Sequence, residues 1–222
     1  MKQPATITID GPAGSGKSTL GELLARRLGY LYFDTGIMYR ALTWAALEQS
    51  LDLNDATLLE HTARSLHIDI TASTHTDGRQ STVLLNGTDV TWLIRDPAVD
   101  STVSLVSSYP GVRTELRRQQ RIIGQQGQVV MVGRDIGTVV MPDAPLKIYL
   151  HASLETRAQR RLAQLLQRGS PLSLEQVCAD MARRDELDQH IMQPATDAIV
   201  LCSDKFTPEE EVTYILALFD AL

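Results

Sequence analysis

Gly11, Gly16, Lys17 and Ser18 fall at the spacing G-x-x-x-x-G-K-[ST] inside the stretch TITIDGPAGSGKST, residues 6–19. Glycines let a loop fold tightly enough for successive N–H groups to face a phosphate, the lysine neutralises β/γ charge, and the serine hydroxyl can ligate Mg²⁺. Gly11, Pro12, Ala13, Gly14, Ser15, Gly16, Lys17, Ser18 and Thr19 therefore form a candidate nucleoside triphosphate site. Its flanks fit. Ile7 and Ile9 end an apolar strand, and Ser18 to Leu24 open an amphipathic helix whose aligned N–H dipoles favour a phosphate.

Three further clusters can address whatever receives the phosphate. Asp34-Thr35-Gly36-Ile37-Met38-Tyr39-Arg40 follows a second apolar run at its carboxyl end, where open α/β sheets hold ligands. Gly133-Arg134-Asp135-Ile136-Gly137-Thr138 follows residues 129–132 in the same way. In Arg183-Arg184-Asp185-Glu186-Leu187-Asp188, Arg184 and Asp188 are four apart on one helix face. An isolated Arg–Asp neighbour pair reads first as a surface ion pair of under ~1 kcal/mol. Pairs that terminate apolar strands beside a phosphate loop read instead as ligand contacts.

The elements needed to hold these clusters are visible as alternating patterns. Apolar runs at 6–9, 30–33, 128–132, 146–150 and 198–202 alternate with helical patterns at 17–28, 38–49, 112–126, 153–168, 173–187 and 208–221. That alternation predicts an α/β fold, a parallel sheet with helices on both faces. Ser173 with Gln176 and Thr207 with Glu210 are capping boxes, Pro208 suits a first helical position, and Gly29 suits a helix end. Residues 66–91 break the alternation: they are rich in β-branched residues and carry the turn signals Asp77-Gly78 and Asn86-Gly87, so antiparallel hairpins are expected, followed by a helix at 97–108.

The chain has 222 residues, enough for one large core. Its net charge of −6 and pI near 5.3 argue against general nucleic-acid or membrane binding. Cys178 and Cys202 are far apart without C-x-x-C spacing and read as reduced core residues. MKQPATITID lacks an apolar signal core, and no window approaches a ~20-residue transmembrane span, so a soluble cytoplasmic protein is expected.

The chain resembles the bacterial cytidylate kinases of the P-loop nucleoside monophosphate kinase family from its first strand to its last. The resemblance rests on IDGPAGSGKST, RRLGYLYFDTGIMYRALTWAAL, the hairpin region ending NGTDVT, VGRDIGTVVMPDAPLKIYL and RRDELD. It implies a single kinase domain with an acceptor-binding insertion at about 37–110 and a lid at about 156–186. It implies transfer of the ATP γ-phosphate to CMP or dCMP with Mg²⁺; a monomer is expected. Arg40 and Arg134 then match residues that grip the acceptor phosphate, Asp135 with Ser104 and Arg113 positions around the cytosine, and Arg184 with Asp188 a ribose and phosphate contact. Thr35 joins the acceptor set from its strand-end place, and Ser18 is the metal ligand. Lys17, Arg40, Arg134, Arg157 and Arg161 are the expected charge-stabilising catalytic residues.

Arg157, Arg160 and Arg161 stand at helical spacing before the break Gly169-Ser170-Pro171, with a solvated basic helix face as the alternative reading. The family pattern also places an arginine three residues beyond the aspartate matching Asp188, where this chain has Ile191, expected on one helical face with Arg184 and Asp188. Kinases for other small acceptors, such as UMP or shikimate, and a nucleotide-binding regulator with weak turnover remain the alternatives.

Overall fold

A computed structural model of the chain describes residues 6–167, 172–189 and 191–221. The break 169–171 and His190 lie outside them. Five parallel strands form the central sheet: β1 (Thr6–Asp10), β2 (Leu31–Asp34), β6 (Val129–Gly133), β7 (Leu146–His151) and β8 (Ile199–Cys202), in the order β2-β6-β1-β7-β8. Alternate side chains of each strand enter different cores, so the apolar runs are buried on both faces. Ile7, Ile9, Tyr32, Val130 and Val132 pack with Leu20 and Leu24 of α1 (Lys17–Leu28) and with Val212 and Ile215 of α8 (Pro208–Asp220). Phe33, Val129 and Met131 face the opposite way, onto α2 (Gly36–Glu48) and α5 (Pro110–Gln125).

Both expected capping boxes are formed, at Ser173 before α7 (Leu174–Asp188) and at Thr207 before α8. Such caps contribute ~1 kcal/mol each. Gly29 ends α1 in the left-handed region. Gly21 sets how closely α1 lies on the sheet: a Cβ there would stand 2.5 Å from Val132 Cγ2.

The antiparallel excursion is a three-stranded sheet of β3 (Ile68–Ala72), β4 (Ser81–Leu85) and β5 (Thr88–Asp89). Asn86 and Gly87 make the tight β4–β5 turn with φ of 49° and 82°, the signature of a two-residue hairpin loop. The other turn signal differs. Residues 73–80 form a wider loop, because Arg79 takes Asp77 at 2.7 Å and Asp89 at 2.5 Å and so organises the connection by side chains. Gln80 Nε2 donates to Glu22 Oε2 at 2.6 Å, tying this loop to α1.

A helix absent from the sequence reading, α3 (Ala56–Ser65), precedes β3 and is capped by Asp55, which accepts from Leu58 N. Helix α4 (Pro97–Val106) stands where the helix at 97–108 was expected and begins with proline. Helices α6 (Leu154–Gln167) and α7 pack as a pair around Ala158, Val177 and Met181, a core of their own that touches Ala13 of the phosphate loop. Cys178 and Cys202 are free and only partly buried.

Candidate active site

The phosphate loop runs between β1 and α1. Gly11, Gly14 and Gly16 have φ of 147°, 78° and 100°, values that side-chain-bearing residues adopt at a cost. A Cβ on Gly11 would meet Leu150 O at 2.0 Å, so that glycine is fixed by space as well. Ser15 is fully buried, and its carbonyl accepts from Ser203 Oγ at 2.8 Å. Lys17 Nζ donates to Pro12 O at 2.7 Å across the loop. Burial, with Arg134 nearby, holds its ammonium down at about 8. Ser18 and Thr19 are exposed on the first turn of α1.

The second cluster follows β6. Arg134 and Asp135 lead into a π-helical turn (Ile136–Val140), a form common at functional sites. Asp135 is 7 % exposed and its Oδ2 receives Arg113 Nη2 at 2.9 Å and Arg117 Nη2. Arg113 also stands over the Tyr39 ring, 5.8 Å from its centroid. The structure brings Arg113 to Asp135 and adds Arg117, which lies one turn beyond Arg113 on α5 and belongs to no expected cluster. Ser104 is not brought to this group: it is exposed on α4, with its carbonyl accepting from Ser107 Oγ at 3.1 Å. Thr35 is buried, and its Oγ1 donates to Val132 O at 3.1 Å, pinning the end of β2 to β6.

Arg40 and Arg134 each hold a carboxylate. Arg40 donates to Ile94 O at 2.9 Å and pairs with Asp100 of α4. Arg134 pairs with Asp188 of α7, and burial, with Arg184 nearby, holds its guanidinium down at about 10. Arg184 itself is exposed. Helix α7 ends at Asp188, so the expected common face stops there; Ile191 lies beyond the helix, its N–H bonded to Asp188 O at 2.9 Å in a turn. Pro194 follows and holds Gln193 away from helical geometry, so the helix does not resume before it.

The α6 arginines divide by face. Arg157 is 5 % exposed and donates to Ala13 O at 3.2 Å and to Asp185 Oδ2 at 2.5 Å. Arg160 donates to Ser15 O at 3.3 Å and to Ser203 Oγ at 2.9 Å. Neither is a solvated face residue. Arg161, one of the expected catalytic residues, is exposed, and Arg160, which stands three residues after Arg157, is the one that lies against the loop. A cavity of about 330 Å³ lies between the loop and α7, lined by Pro12, Tyr149, Asp185, Glu186, Gln189 and Met192.

One residue outside every expected cluster completes the site. Asp10, the last residue of β1, is 5 % exposed and accepts Ile136 N at 2.8 Å and Gly137 N at 2.7 Å. Burial pushes its carboxyl up to about 6 against the pull of those two N–H bonds. Among the described residues there is no cluster of three or more His, Cys, Asp or Glu side chains able to hold a metal ion, and no helix long and apolar enough to cross a membrane.

A parallel sheet carrying a lysine-bearing phosphate loop, with guanidinium groups converging on it from the next strand end and from a helix pair, defines a P-loop phosphotransferase. Residues 7–221 match the family model described as cytidylate kinase. The chain is 58 % identical over 219 residues to the cytidylate kinase of Chloroflexus aggregans, covering 99 % of this chain and 95 % of that protein. It is 54 % identical over 218 residues to the cytidylate kinase of Roseiflexus castenholzii, covering 98 % and 94 %. The protein belongs to the cytidylate kinase family. Among solved structures it is similar in fold to a shikimate kinase from Bacteroides thetaiotaomicron, with a TM-score of 0.53 at 13 % identity over 97 % of this chain and 98 % of that one.

Proposed function

We propose that the protein transfers the γ-phosphoryl group of ATP to CMP or dCMP, giving ADP and CDP or dCDP. The observation that carries this reading is the Arg113–Asp135–Arg117 group, which offers a buried carboxylate oxygen beside the phosphate loop. Cytosine presents an N4 donor to such an acceptor where uracil presents an oxygen. Both guanidinium bonds fall on Oδ2, which leaves Oδ1 for the base.

Phosphoryl transfer asks little covalent chemistry of a protein; positioning and charge stabilisation carry it. Lys17 would leave Pro12 O and neutralise the β/γ-phosphates. Arg134 would exchange Asp188 for the acceptor phosphate, which Arg40 also grips, since a dianion suits guanidinium forks. Arg157, with Arg160 beside it and Arg161 further out on α6, brings positive charge to the transferred group as the lid at about 156–186 settles on the loop. Arg184 and the released Asp188 then address the acceptor's ribose and phosphate, Thr35 steadies the strand end before the insertion at about 37–110, and Ser104 would reach the base only if α4 moved toward it. Mg²⁺ would be held by the exposed Ser18 hydroxyl together with triphosphate oxygens and water, which suits an ion that usually takes few protein ligands, and when bound it neutralises charge on the β- and γ-oxygens. A monomeric, cytoplasmic enzyme is the form we propose for this activity.

The test is ADP release with ATP and a panel of CMP, dCMP, UMP, AMP and shikimate. CMP and dCMP should be turned over with the highest kcat/KM. Preference for another acceptor would overturn the reading, and tight CMP binding without ADP formation would mark a regulator.

A further inference from the structure

Asp10 leaves β1 one residue before the phosphate loop, opposite Gly133 on β6 and Tyr149 on β7. Its two carboxylate oxygens accept separate donors, Ile136 N at 2.8 Å on Oδ1 and Gly137 N at 2.7 Å on Oδ2. Those N–H groups open the π-helical turn and have no partner one turn earlier. We infer that Asp10 is a positioning residue for the acceptor: by holding both ends of this backbone fork it sets where Arg134 and Asp135, the two residues just before the turn, stand relative to the phosphate loop. This rests on the proposed role of those two residues in binding CMP.

The chemistry of the contact calls for a carboxylate. Two donors need two acceptor oxygens, and an asparagine would offer one oxygen while turning its own NH₂ against an N–H. A carboxylate buried this deeply is costly unless it is hydrogen-bonded, so its place beside the loop is explained by the fork it receives. The space is equally specific. A Cβ on Gly137 would stand 3.0 Å from Thr8 Oγ1 and 3.3 Å from Asp10 Oδ2, so a methyl there would press on the carboxylate that the turn sits on. Lys17 of α1 and Asp135 of the turn are the charged groups that act on Asp10, with opposite sign. Asp10 therefore links the donor lysine and the acceptor turn without needing to touch either substrate.

The test uses the full chain carrying Asp10→Asn, with Gly137→Ala as an independent way to lift the turn. For each, kcat and KM for CMP and UMP are measured at saturating ATP, ATP binding is measured directly, and the melting temperature is recorded. A misplacement of this kind should lower kcat/KM for CMP by ~10–100-fold in Asp10→Asn, chiefly through KM. The CMP-over-UMP ratio should narrow and ATP affinity should hold. Gly137→Ala should show the same pattern in smaller measure. A lowered melting temperature with unchanged CMP KM and unchanged base preference would overturn the inference and leave Asp10 a fold contact. Equal losses in ATP and CMP binding would overturn it too, by assigning Asp10 to the donor loop. If Asp10→Asn fails to fold, Gly137→Ala decides by the same readouts. Failure of the wild-type chain to phosphorylate CMP would instead strike the proposed function, so the two failures are distinguishable.

Discussion

The phosphate loop is shaped by backbone: three glycines with positive φ, a carbonyl of its own taken by Lys17, and another held by Ser203. The arginines proposed to bind the acceptor and the transferred group are arranged by side chains, each already engaged with a carboxylate or carbonyl of the protein. Arg134 holds Asp188, Arg157 holds Asp185 and Arg40 holds Asp100. On the proposed reading both sides release a partner to bind: a loop carbonyl held by Lys17 on the donor side, and carboxylates held by arginines on the acceptor and lid side. An exchange of partners is what lets a site respond to which ligand has arrived.

The sharpest break in this comparison is Lys17→Ala. Transfer should fall by ~10³-fold or more, as for loss of a comparable cation in phosphoryl transfer, while the melting temperature holds because a cation enclosed by the loop is removed. The wild type adds a pH signature. Lys17 titrates at about 8 without ligand, and bound triphosphate must raise that value, so ATP affinity should be full below pH 8 and decline above it. A variant with near wild-type turnover would remove the loop from the donor role.

Arg134→Ala should raise the KM for CMP and lower kcat together, with kcat/KM down by ~10²-fold, since a phosphate fork acts in ground and transition states alike. ATP binding measured alone should not change. Loss confined to ATP would move Arg134 to the donor side. Asp135→Asn should act on choice more than on rate: an amide can offer a donor to uracil O4, so the CMP-over-UMP ratio should fall by ~10-fold or more. An unchanged ratio with intact activity would take base reading away from Asp135.

The mildest test sharpens the idea of exchange. Asp185→Asn weakens the partner that Arg157 must give up, so ATP should bind a few-fold tighter while the fold loses ~1–3 kcal/mol from an ion pair left unmade. Isothermal titration with a non-hydrolysable ATP analogue and thermal melting read the two effects separately. Weaker binding would show that Asp185 serves the nucleotide directly.

Much of this plan could be read from the chain because it is local. The phosphate loop, both capping boxes and the Asn86-Gly87 turn depend on residues within a few positions of one another. Helix α3 was equally local: Asp55 is a cap before Leu58, Leu59 and Ala63, a signal that a search for longer patterns passes over. The π-helical turn has no periodicity of its own to betray it. Arg117 and Asp10 were hidden for another reason, since their partners stand 18 and 126 residues away: the packing of α5 near the end of β6 brings the first pair together, and the β1–β6 register the second. Which of the α6 arginines meets Ser15 depends on the face that α6 turns to the loop, something spacing cannot decide. Ile191 was read through a helix that stops at Asp188 and gives way to a turn.

The internal pairs of Arg40, Arg134 and Arg157 also bear on how the protein would sense dissolved electrolyte. When a phosphate replaces a carboxylate on a guanidinium, one screened attraction is exchanged for another, and added salt weakens both. Substrate affinity in such a site depends on the difference between two similar ionic terms, not on the full charge of the nucleotides. A chain that carries net negative charge can in this way retain polyanionic ligands over a range of ionic strength that would strip them from a surface of unpaired arginines.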